Sequence, residues 1–535
     1  MNLQFTFLRT AAFSALFAAL VFAFSPTTDP VDPAAQAAVD STNVLEDALK
    51  INGPDAPKPP DKFNPGSAFS EGASSFEVES KDYGFSIKFP SGSLVPSPTV
   101  HDGKLYTGGG FSSTVYHCFD AKSGTNIWSK AISDDGPSSS VIERNTVVFN
   151  TESCTIFALD AGTGQMKWSW YMGDPMMSMP AIIKGKVITC YPASYGYSDA
   201  GFHQNNMNNH INPDGNLKQD IAPADQAEEK HADITARIRP DHVLACLDLE
   251  TGKVLWQKWI DGDVMSAPVG AGTDVMITTF PGTTWRFNID SGEILAANAI
   301  RATSAPVVVN GTVFTSRRYD GDGVAQEKIS EMDIHMVETS KMNEKKADYL
   351  NKSVQVSSSM KTESAHMDAN NGFGSGAPTT SGWTNAEANI GQSNVSSLQS
   401  FQGSRVLNYR GINYSCMGDE LIANEMKTGD VRWKVKMNGN MHELGGFLGT
   451  PPVIAGGKII IATIEGDVIL FDPVTGTETA RYQTGHPIRQ QPVVDSGWIY
   501  ASSSDGFIFG INTKDPNMTG WPVWGHDNAH SGVGE

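Results

Sequence analysis

Basic residues are in short supply. Lysine and arginine number 39 against 59 aspartate plus glutamate, a net charge of −20 over 535 residues. No extended Lys/Arg run offsets that field, so a polyanion is repelled and nucleic acid is excluded as a partner. Cysteine is scarce as well. Cys118, Cys154, Cys190, Cys246 and Cys416 are odd in number and widely spaced, which is not a disulfide framework. There is no adjacent Cys-Cys pair, no CxxCH haem motif, no glycine-rich phosphate loop and no GxSxG elbow. Long apolar runs are missing too, with one exception. Ala11–Phe24 (AAFSALFAALVFAF) follows Arg9; it is too short and too weakly flanked for a span of ~20 residues. That layout is a secretory signal. The expected signal covers 1–24, with cleavage as late as residue 37, where Ala35-Gln36-Ala37 meets the small-residue rule. No cysteine precedes Cys118, so no lipoprotein anchor is expected, and the mature chain should carry no transmembrane segment.

Residues 25–75 are rich in Pro, Ala, Asp and Ser, with PDAPKPPDKFNPG at their centre. Such composition buries too little apolar surface to fold alone and reads as a disordered linker. Order is expected from Phe76, with FEVES and FSIKF as short strands. From residue 93 onward one pattern recurs eight times: a short apolar strand, a Gly turn, a β-rich run, and a further strand ending in Asp before a Thr-Gly turn and a Trp. The eight repeats open near residues 97, 139, 179, 267, 305, 404, 450 and 491. From the acidic position, Gly follows at four residues and Trp at eight: Asp120, Gly124, Trp128; Asp160, Gly164, Trp168; Asp248, Gly252, Trp256. Glu425, Gly429 and Trp433 keep the spacing with a changed acid. Repeats four and seven put Ala296 and Ala480 in place of Trp, and repeat five lacks the Thr-Gly turn.

Short period-two strands between Gly-bearing turns are antiparallel β structure, and a period near forty residues is a propeller. The expected fold is all-β: an eight-bladed β-propeller of four-stranded antiparallel blades over 76–535. Two long loop insertions interrupt it, at about 195–240 and 334–400. One blade buries neither face alone, so blades stack and the ring closes. The acid is expected to accept hydrogen bonds from the turn, and the Trp to span the gap between blades. Cys118 and Cys246 share the repeat position of Ala158 and read as small buried strand residues.

The LDxxTGxxxW spacing resembles the tryptophan-docking repeat of the quinoprotein (PQQ-like) propellers. WPVWGHDNAHSG (521–532) is similar to a short element found beside such repeats. The resemblance implies an eight-bladed ring, not an activity. The superfamily holds PQQ-dependent dehydrogenases and also non-catalytic members, among them the propeller subunit of the outer-membrane β-barrel assembly machinery. The alcohol-oxidising members carry a Cys-Cys pair and a calcium site that are not matched here. Asp320-Gly321-Asp322-Gly323 lacks the acidic ligand that a calcium loop needs. The assembly subunit is a lipoprotein with compact blades, and this chain departs from it on both counts.

Two side-chain sets are candidate sites. Met172, Met176, Met177 and Met179 enter repeat three on the face crowned by the first insertion, which carries His203, Met207 and His210. Thioether and imidazole ligands suit copper; adaptable packing is the plainer role for methionine. Arg301, Arg405 and Arg489 lie near the blade-entry strands, with Arg317 and Arg318 at the end of another strand. Guanidinium groups around a channel would hold a carboxylate-bearing cofactor such as PQQ. The leading expectation is a non-catalytic exported scaffold in the periplasm or at the cell surface, with envelope or surface proteins as partners and no cofactor. The alternatives are a PQQ-dependent oxidoreductase and a metal- or small-ligand-binding surface propeller.

Overall fold

The computed structural model describes residues 44–527 apart from 54–56, 58–61, 67–68, 73–74, 111–112, 133, 152–154, 173–177, 193–239, 241, 280–282, 299–303, 322–323, 334–403, 405, 418, 440–447, 522 and 524. Both insertions fall almost wholly outside the described residues.

Each repeat begins with a three- or four-residue strand at the axis, such as Thr99–His101 in repeat one or Val141–Glu143 in repeat two. It turns back through a longer buried strand and steps outward. Repeat one runs Thr99–His101, Lys104–Gly108, Val115–Asp120, Asn126–Ala131, each strand antiparallel to the next. A register shift follows Cys118 in its third strand, and the same shift follows Ala158, Cys246, Arg286, Ala423 and Leu470. The period read from the sequence is therefore one structural period.

The expectation of eight four-stranded blades needs correction. Among the described residues seven sheets have four strands or more, whereas those of repeat five form three strands. Its second and third strands are one long hairpin, Thr312–Gly321 against Val324–Asp333. Repeat eight contributes only three strands of its own, Val493–Asp495, Trp498–Ser502 and Phe507–Asn512. Gly84–Lys88 supplies its fourth and Glu77–Lys81 its fifth. The two ends of the propeller meet in one sheet, and the axial strand of repeat eight lies beside that of repeat one.

The segment expected to be a linker contains regular structure. Residues 44–51 are helical, with Val44 and Ala48 buried in the apolar cluster of repeats three and four. Lys62–Asn64 pairs with Met166–Tyr171, the outer strand of repeat two. The composition misleads because these residues do not fold alone; they borrow a core and a sheet edge from the ring. No helix among the described residues is long and apolar enough to cross a membrane.

Candidate functional site

Three features set the chemistry of the ring: the seams between repeats, the rim of the axis, and the axis itself.

At the seams the docking residues meet. Asp120 Oδ1 accepts from Ser123 N and Oγ, both at 2.8 Å. Asp160 accepts from Thr163 N at 2.8 Å, and Asp248 from Thr251 Oγ1 at 2.7 Å. The Ser123 hydroxyl bond, aided by backbone amides, holds the Asp120 carboxyl below its ordinary range. Glu425, one methylene longer, bonds Arg432 instead. The turn glycines all have positive φ: Gly124 +69°, Gly164 +71°, Gly252 +67° and Gly429 +76°. Each tryptophan crosses to the following repeat. Trp128 Nε1 donates to Ala161 O (3.3 Å), Trp168 to Leu249 O (2.9 Å), Trp256 to Ile289 O (2.9 Å) and Trp433 to Pro473 O (2.9 Å). Gly124 is covered by Phe85 of the N-terminal strand, which takes the tryptophan's place at the ring closure. Cys118, Ala158, Cys246 and Ala423 each stand opposite a docking tryptophan; burial pushes the Cys118 and Cys246 thiols up to about 12.

Sequence reasoning missed the girdle at the rim of the axis. A hydroxyl or amide precedes the axial strands of repeats one, two, six and eight and reaches a neighbouring repeat. Ser97 Oγ donates to Gln491 O, Ser139 Oγ to Ser97 O and Ser404 Oγ to Pro306 O, while Gln491 Nε2 donates to Pro452 O. From the ends of the second strands of repeats two and four, Asn150 Nδ2 and Thr278 Oγ1 donate to Ser178 O and Ser304 O of the next repeats. A Ser or Gln two residues before the axial strand was the available signal.

A C-terminal segment reaches the axis. Gly520–Trp521 pairs antiparallel with Val453–Ala455, and lies on the axial side of that innermost strand. A Cβ at Gly520 would stand 2.7 Å from Ile454 O, so the tail requires glycine there. Val523 is buried in a cluster with Val100, Met179, Val269, Ala305 and Val493. Those residues come from repeats one, three, four, five and eight, which meet only at the axis.

Of the arginines, Arg489 is described. It sits just before the axial strand of repeat eight, and burial lowers its guanidinium pKa. Arg301 and Arg405 lie outside the described residues, as do Met176, Met177, His203, Met207 and His210. Met172 and Met179 are buried in two different apolar clusters. Arg317 and Arg318 lie within the strand Thr312–Gly321.

A ring of antiparallel blades with tryptophans docked across its seams defines a PQQ-like β-propeller. The family described as outer membrane protein assembly factor BamB matches residues 71–188, 239–316 and 413–533; the matched segments exceed half of the chain, and the chain belongs to that family. Among solved structures it is similar to BamB from Moraxella catarrhalis, at 15% identity over 81% of this chain and 96% of that one, TM-score 0.45. It is also similar to the quinohemoprotein alcohol dehydrogenase ADHIIG from Pseudomonas putida HK5, at 12% identity over 88% and 78% of the two chains, TM-score 0.45. The computationally designed Ika8 protein matches at 12% identity over 79% and 98%, TM-score 0.48. No curated protein matches the chain.

Proposed function

We propose that this chain is an exported, non-catalytic propeller that serves as a protein-interaction or assembly scaffold in the bacterial cell envelope. The observation that carries this reading is the apolar packing at the axis. A carboxylate-bearing cofactor on the ring axis calls for polar partners, and Val523 lies there among apolar side chains of five repeats. The family's description as an outer-membrane assembly factor supports envelope proteins as the partners. The net charge of −20 argues against nucleic acid. Arg489, half-buried beside an axial strand, is the one described residue that favours the quinoprotein alternative.

The deciding experiment has two arms. The chain is purified from its native host for visible spectroscopy and metal analysis, then assayed with PQQ and calcium for dye reduction by alcohols and sugars. In parallel, cross-linking in intact cells identifies its neighbours. The expected result is no turnover and cross-links to envelope proteins. PQQ-dependent turnover that disappears in Arg489→Ala overturns the scaffold reading.

A further inference from the structure

The chain shows how its own blades accept an added strand. Residues 44–88 run round the rim over repeats three, two, one and eight in that order. Asn52 Oδ1 accepts from Trp259 N of repeat three at 2.8 Å, and its Nδ2 donates to Trp259 O at 2.9 Å. On repeat two, Phe63 pairs with Trp170 and Asn64 with Ser169, and the Phe63 and Trp170 rings lie 4.7 Å apart. On repeat one, Ala131 N donates to Ser70 O at 3.1 Å, and Gly72 N to Ser129 O at 2.9 Å. The same outer-edge positions are used each time, one to three residues past the docking position.

In repeat seven those positions are Arg481, Tyr482 and Gln483. The hydrogen bond from Thr484 N to Gly466 O (2.8 Å) matches that from Ile132 N to Thr114 O (2.9 Å). The register therefore turns Gln483 N–H and Arg481 C=O outward, as Ala131 and Ser129 are. The outer strand, Glu478–Gln483, ends its sheet with no strand beyond it among the described residues. Beside it lies a groove of about 460 Å³ lined by Tyr83, Tyr482, Arg481, Lys514 and Asp82. Tyr482 stands where Trp170 stands in repeat two. The other open edges differ. Repeat four has Ala297, Asn298 and Ala299 at these positions, with no aromatic ring, and repeat six has Lys434, Val435 and Lys436, a pair of the lysines that commonly discourage strand addition.

We propose that the outer edge of repeat seven docks an extended strand of a partner protein, held by main-chain hydrogen bonds to Arg481 and Gln483 and by an aromatic side chain against Tyr482. This is strand addition, and it rests on the scaffold reading by naming one partner surface.

The test uses the full chain and three acetylated heptapeptides in a fluorescence-anisotropy assay. The first carries the core Lys-Phe-Asn of the chain's own strap, the second has Ala in place of Phe, and the third is N-methylated on Asn, the amide equivalent to Gly72 N. The expected result is that the first binds at least tenfold more tightly than the other two. Tyr482→Ala and Gln483→Pro should each weaken it at least tenfold. Equal binding of the three peptides, or tight binding unchanged in both variants, overturns the assignment. Loss in Tyr482→Ala with no penalty from N-methylation also overturns it, since that outcome is a side-chain pocket without strand addition. Should Gln483→Pro fail to fold, Tyr482→Ala and the methylated peptide still decide. None of these failures bears on the cross-linking of the whole propeller.

Discussion

The indole of Trp168 lies against Gly252 of the next repeat so closely that a Cβ there would stand 2.6 Å from it. Gly164 under Trp128, Gly292 under Trp256 and Gly476 under Trp433 are held in the same way, at 2.7, 2.7 and 2.6 Å. One position therefore answers to two demands, a left-handed backbone and the absence of a side chain. Gly252→Ala should cost the strain of φ +67° plus displacement of the indole, about 3 kcal/mol together. Gly272→Ala, at φ +72° with open space around it, should cost only about 1 kcal/mol. Urea unfolding of the two variants compares them; equal losses would show that docking adds nothing.

The axial tail should stabilise the whole ring. Truncation after Asn512 removes the strand added to Val453–Ala455 and uncovers the cluster around Val523. The expected outcome is a lower Tm and new binding of a hydrophobic dye. Val523→Ala alone should cost about 2 kcal/mol. A truncated chain with the full-length Tm would mean that the tail only rests in the axis.

Stability should fall as the medium is acidified below neutral pH, and His117 is one reason. It is buried among Phe76, Phe89 and Phe119, and burial lowers its pKa to about 3. The unfolded chain binds that proton near pH 6.5. Between about 6.5 and 3 the unfolded state therefore holds more protons, and stability is lost as pH falls through this window. His117→Phe should flatten the pH dependence of Tm between 6 and 4. An unchanged slope would assign the acid sensitivity to other groups.

Thiol chemistry should be silent in the folded state. Cys118, Cys190, Cys246 and Cys416 are buried, and the raised thiol pKa of Cys118 and Cys246 leaves little thiolate at pH 8. Iodoacetamide at that pH should label these four only after denaturation, read by mass spectrometry. Labelling of Cys118 or Cys246 in the native protein would show that the seam opens.

The sequence by itself determined the period, the antiparallel blades and the seams. Asp, Gly and Trp at fixed spacing are local: the acid caps its own turn, the glycine takes the turn's positive φ, and the fourth strand follows at once. What only the tertiary structure decided is where the non-repeating pieces go. Residues 44–64 look like a linker because three-residue strands and a two-turn helix carry no period of their own; their stability comes from Trp170, Trp259 and the cluster around Trp256. The Gly520–Trp521 segment likewise has no axial signature, since its partner Val453–Ala455 is some sixty-five residues away. In the girdle Ser97 meets Gln491 O only when the ring is closed, whereas Ser139, Ser404 and Gln491 need the preceding repeat docked. Period is written in neighbouring residues, whereas closure is a contact between distant ones, which only the folded ring supplies.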